Sequence, residues 1–255
     1  MRSAGLHLDD YEWPPTMTES QARVDDSGRA YAGSQLQIQI YVNRRLDELS
    51  RHVLRALPSV ASRGAHIRWV SPLESDRFTE YQDQAFLRAV GLEHLAVALR
   101  TFWPRGGPVW DALAVVETAR TPGWRGVLLV EAKSHVREVY GGGCKASERS
   151  RKAIEAALEL TKRWLGASPD SDWTGALYQS ANRLAHLYFF REVAKVPAWL
   201  VNIYFFDDPH SPTSREEWKV ALGQVKGELA LTGVAIPHTA ELFLRAGDRR
   251  ELLDA

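Results

Sequence analysis

Hydrophobic and polar positions alternate from residue 35 onward: Leu36, Ile38, Ile40 and Val42 are interleaved with Gln35, Gln37, Gln39 and Tyr41. That period of two predicts a strand with one face buried. Asn43 then stands where a helix cap would, ahead of Leu46, Leu49, Val53, Leu54 and Leu57 at helical spacing before Pro58. Residues 67–70 predict a short strand and 78–99 a helix broken at Gly91. Residues 109–117 and 126–135 form two β runs parted by Thr121-Pro122-Gly123, a turn signal. Two helices follow. The first has an apolar face of Ile154, Ala157, Leu158, Thr161 and Leu165 with Gly166 as its stop, and the second spans 175–195. A strand at 199–206, an amphipathic helix at 214–229 and a strand at 241–244 complete the pattern. With no repeat and no linker between cores, the chain predicts an α/β fold, a central mixed β-sheet flanked by helices.

Composition narrows the class. The 255 residues are 45% hydrophobic and 25% charged, with a mean hydropathy of −0.30, so a globular core is affordable in length. No apolar run approaches the ~20 residues of a membrane helix, and the segment behind Arg2 lacks the apolar stretch of a secretory signal. A single cysteine, Cys144, excludes an internal disulfide and a cysteine-rich zinc site, and a reduced cytoplasmic setting is expected. Net charge is zero, yet it divides as −3 over residues 1–30, +6 over 31–206 and −3 over 207–255. A basic middle suits a polyanionic partner, although solvated arginine produces the same count.

Familiar catalytic motifs are absent: Gly141-Gly142-Gly143 is followed by Cys144-Lys145, not by the Lys-Ser/Thr of a phosphate loop. What remains is Asp111 at the start of one β run and Glu131-Ala132-Lys133 at the end of the next. On a strand Glu131 and Lys133 share a face, and a hairpin brings Asp111 to the same end. Paired carboxylates repel unless a cation lies between them, and oxygen ligands suit Mg²⁺ or Mn²⁺. A lysine beside them can orient or deprotonate a water and neutralise charge on a phosphoryl oxygen. Glu217-Trp218-Lys219 repeats the spacing, but on a helix its two charges face apart.

Asp-x19-Glu-Ala-Lys on consecutive strands, behind a glutamate-bearing helix, resembles the PD-(D/E)XK nuclease superfamily, with Trp110 where the name-giving proline would stand. The resemblance implies a restriction-endonuclease-like core over 78–206; residues 1–34, without periodicity, read as an irregular lead-in, 35–77 as a strand-helix-strand addition and 207–255 as a C-terminal helix-strand addition. It implies a divalent-metal-dependent nuclease leaving 5′-phosphates on nucleic acid, most readily DNA. Asp111, Glu131, the Ala132 carbonyl and Glu93 would hold Mg²⁺ or Mn²⁺, with Glu80 as the runner-up to Glu93, and Lys133 would be the catalytic lysine. A helix beyond the lysine can offer Gln or Arg to such a site. Here Gln179, Asn182, Arg183 and His186 form one polar stripe at helical spacing, with Gln179 the foremost candidate. Lys145, Arg149, Lys152 and Arg183 are candidates to track a phosphate backbone, and the terminal additions could serve dimerisation. His135 shares the strand face of Glu131, as helper or as bystander. The rival reading is a nuclease-like module that binds nucleic acid or protein without turnover.

Overall fold

The computed structural model describes residues 23–254. Helices α1 (Gly33–Arg44), α2 (Leu46–Ala56) and the single turn α3 (Pro58–Ala61) lead into strand β1 (Ala65–Ser71). Short helices α4 (Asp83–Ala89) and α5 (Ala96–Phe102) precede the hairpin β2 (Ala112–Thr118) and β3 (Arg125–Lys133). Then come α6 (Glu148–Leu165), α7 (Tyr178–Tyr188), β4 (Ala198–Phe206), α8 (Arg215–Glu228), β5 (Thr239–Arg245) and the turn α9 (Arg250–Leu253). The strands form one mixed sheet in the order β1-β2-β3-β4-β5, antiparallel through β3 and parallel from β3 to β5. The segments 35–77 and 207–255 therefore supply its two outer strands.

Alternation along the strands divides the core in two. Ala112, Ala114, Val116, Leu128, Val130 and Ala132 pack toward α1–α3. Leu113, Val115, Val127 and Leu129 pack toward α4–α8. With both faces covered, β3 is a nearly continuous apolar run, as a central strand must be. Gly126 is required there: a Cβ on it would lie 2.4 Å from the Trp199 ring.

Three expectations are corrected. Residues 36–42 form a helix, α1, not a strand, because their glutamines do not face water. The Gln39 side chain accepts from Ala30 N–H at 2.8 Å and donates to the Gly28 carbonyl, while Gln37 exchanges two hydrogen bonds with the Gly247 backbone. Asn43 does not cap α2; its carbonyl accepts from Glu74 N–H and its amide donates to Pro72 O. The helical stretch expected over 78–99 is parted around Gly91 as expected, into α4 and α5, but residues 78–82 lie outside both. Tyr81 instead bridges Trp110, whose N–H donates to Tyr81 O at 3.0 Å.

Candidate active site

Asp111 directly precedes β2, and the register that pairs Ala112 with Val130 sets it beside Glu131 at the open end of the hairpin. This is also the carboxyl end of β3, next to its parallel neighbour β4, where ligands of open α/β sheets gather. Asp111, Glu131 and Lys133 share the parity of Leu113 and Leu129, so they project toward the α4–α8 side. The Tyr81–Trp110 bridge carries the extended segment containing Glu80 to the same place.

Each group is tightly held. Asp111 Oδ2 accepts from the Ala132 N–H at 2.7 Å. Glu131 accepts from Lys133 Nζ at 2.5 Å on one oxygen and from Arg183 Nε at 2.6 Å on the other. Arg183 reaches across from α7, where it also donates to Val109 O at 3.0 Å and Asn182 Oδ1 at 2.8 Å, with its guanidinium 5.6 Å from the Trp110 ring centre. Glu80 is hydrogen-bonded to Gln35 of α1.

Charge is unbalanced here: Glu80, Asp111 and Glu131 face Lys133 and Arg183. Burial, then the charges of Glu131 and Glu80, pushes Asp111 far above the carboxylate range. Burial and the charge of Glu131 push Glu80 to about 7. Burial acts the same way on Glu131, but Arg183 and Lys133 outweigh it and hold its carboxyl low. Lys133 keeps its proton because Glu131 and Asp111 offset its desolvation.

Two carboxyls whose proton affinity burial raises, with Lys133 opposing it only in part, have the donor chemistry of a hard divalent cation, which binds oxygen and competes with protons for it. The residues fit Mg²⁺ or Mn²⁺ in that sense. As they stand, no three His, Cys, Asp or Glu side chains among the described residues converge tightly enough to enclose a metal. Both Glu131 oxygens are engaged by Lys133 and Arg183.

The other expected residues are placed as follows. Glu93 is corrected: it lies at the surface in a 2.8 Å ion pair with Arg88, and the glutamate that neighbours Glu131 and Lys133 is Glu80. Arg183 is buried on Glu131, not displayed to a phosphate backbone. Gln179 is exposed at the first turn of α7, where two clefts of about 980 Å³ and 510 Å³ meet. Lys145 lines the smaller cleft. Arg149 and Lys152 are exposed on the first turn of α6, with Lys152 3.3 Å from Glu148. His135 faces Glu138 at 3.2 Å. His186 is buried, its Nδ1 2.8 Å from Asn182 O, against Trp103 and Trp110.

Sequence reasoning missed Gln35, Tyr31, Arg23 and His210, which line the larger cleft around Lys133. Only the tertiary fold unites them, and no local spacing signals it. No family model, curated protein or solved structure matches this chain.

Proposed function

We propose that this protein is a divalent-metal-dependent nuclease with a restriction-endonuclease-like core. The observation that carries the reading is the grouping of Asp111, Glu131 and Lys133 on one sheet face with Glu80 brought beside them from the segment before α4, Lys133 reaching the larger cleft. A purely structural ion pair needs one acid per cation; here a third carboxylate and a raised proton affinity are left over. Asp111, Glu131, Glu80 and the Ala132 carbonyl would hold Mg²⁺ or Mn²⁺, which when bound supplies Lewis-acid polarisation of a phosphoryl oxygen.

The chain's own groups do the rest. Lys133 stays protonated, so it acts as a donor that orients the attacking water and shields charge growing on the phosphate. Arg183 fixes the Glu131 carboxylate, and its three anchored hydrogen bonds keep that orientation. Gln179, where the clefts meet, is placed to contact a phosphate or sugar. Nucleic acid, first of all DNA, is the substrate, and 5′-phosphates are the products.

One observation favours a non-catalytic binding module: both Glu131 oxygens are already neutralised by Lys133 and Arg183. Cleavage assays on plasmid, single-stranded DNA and RNA with Mg²⁺ or Mn²⁺ decide between the two. The nuclease reading expects metal-dependent cutting that falls about 10²–10³-fold in Lys133→Ala and is lost in Glu131→Ala. Cutting that survives both substitutions, or none by folded wild type, would reject it.

A further inference from the structure

Glu131 is buried behind two clefts, and none of the three acids is in the wall of either; the link is through its two cations. Lys133 lines the larger and Arg183 the smaller, and these two hold opposite oxygens of Glu131. Gln179 is common to both. A polymer that lies in one cleft and passes Gln179 therefore continues into the other, over the Lys133–Glu131–Arg183 pairs.

The walls suit a particular polymer. The smaller cleft carries Arg105, Lys145 and Arg183 with no carboxylate. Because Arg183 is taken by Glu131, the exposed Arg105 and Lys145 remain for phosphate. Gly141-Gly142-Gly143 brings bare backbone along the same wall. In the larger cleft Arg23 and His210 join Lys133, while the one carboxylate, Glu138, faces His135.

Aromatic faces accompany these charges on both sides. Tyr31, 50% exposed, has the Arg249 guanidinium 4.7 Å from its ring centre. Tyr140 lines the same cleft, and Tyr178 lines the other, stacked on Trp103 at 22°. Such platforms serve unpaired bases, whose faces are free; a duplex hides those faces and presents phosphates and groove edges.

Resting on the nuclease reading above, the geometry points to one unpaired polynucleotide strand as the substrate, threaded through both clefts and cut internally. No strand end is needed, so a closed circle is cut.

The test pairs binding with cleavage. Fluorescence anisotropy in EDTA compares labelled oligo-dT and oligo-U with a duplex hairpin. Covalently closed circles of single-stranded DNA, single-stranded RNA and relaxed duplex DNA are then incubated with Mn²⁺. An unpaired strand is expected to bind at least about tenfold more tightly than the hairpin, as one stacked base gives. Arg105→Ala and Lys145→Ala should each weaken oligonucleotide binding several-fold and lower the salt slope by about one. A single-stranded circle should be opened while the duplex circle survives, and whichever circle opens identifies the sugar. Equal or tighter hairpin binding, equal cutting of the duplex circle, or unchanged binding in both variants overturns the strand track. Tight unpaired-strand binding without cutting of any circle supports the track and overturns the hydrolase reading.

Discussion

Arg183 and His186 lie three residues apart on α7, and burial makes opposite demands on them. Arg183 is paired and anchored: Glu131 accepts from its Nε at 2.6 Å, and Asn182 Oδ1 and Val109 O accept from its two terminal nitrogens. Truncating it in Arg183→Ala leaves a buried carboxylate with one cation, and a loss of about 3–5 kcal/mol is expected from denaturant titration. Arg183→Lys should recover only part of it, since an ammonium lacks the planar fork. His186 has only a backbone hydrogen bond and the charge of Asp83 to oppose its burial, which lowers it from 6.5 to about 4. Its folded form binds fewer protons than its unfolded form, so its contribution is complete above pH 6.5 and is lost as pH falls toward 4. That is about 3 kcal/mol over the window. His186→Gln should flatten the acid limb of thermal stability there; an unchanged limb would show that other groups set it.

At the same scale the sequence separates cleanly into what spacing can and cannot convey. Asp111, Glu131 and Lys133 are legible because strand alternation and a short turn fix their relation within a hairpin. Glu93 misleads because a glutamate near a helix resembles the family arrangement, whereas five residues of local chain give it Arg88 as a partner. Glu80 reaches the site only through the Tyr81–Trp110 bridge, a pairing between segments about thirty residues apart.

Among the elements, those with continuous apolar runs buried on both faces, or with polar positions that face water, follow their sequence pattern. The hairpin, β4, β5 and α8 do so, and α8 begins with a capping box in which Ser214 accepts from Glu217 N–H at 3.2 Å and Glu217 accepts from Ser214 N–H at 2.7 Å. Ser214→Ala should therefore cost about 1 kcal/mol, read as a shifted urea midpoint with an unchanged slope. A neutral result would mean that tertiary packing of Trp218 alone fixes the helix start. α1 defeats its pattern. Its alternating glutamines are buried and bonded to the backbones of Gly28, Ala30 and Gly247, residues that periodicity cannot see. A period of two signals a strand only where the polar half meets solvent.

Across the whole molecule, the mixed sheet covered by helices was readable as a class, but its order was not. The outer strands β1 and β5 come from the segments that the pattern sets aside as additions. α1, arriving from the N-terminal side, closes one wall of the larger cleft and gives Glu80 its partner Gln35. Among the described residues no helix is long and apolar enough to cross a membrane. The positive middle of the chain is partly consumed: Arg183 and Lys162 are buried in ion pairs, while Arg105 and Lys145 stay exposed at the smaller cleft.

The central claim is that the surplus carboxylates form a divalent-cation site built from Asp111, Glu131 and Glu80. Calorimetric titration with Mn²⁺ tests it directly, with wild type beside Asp111→Asn, Glu80→Gln and Glu93→Gln. The account predicts saturable binding with proton release, abolished in Asp111→Asn, weakened in Glu80→Gln and unchanged in Glu93→Gln. Binding absent from folded wild type, or equal in wild type and Asp111→Asn, would contradict it.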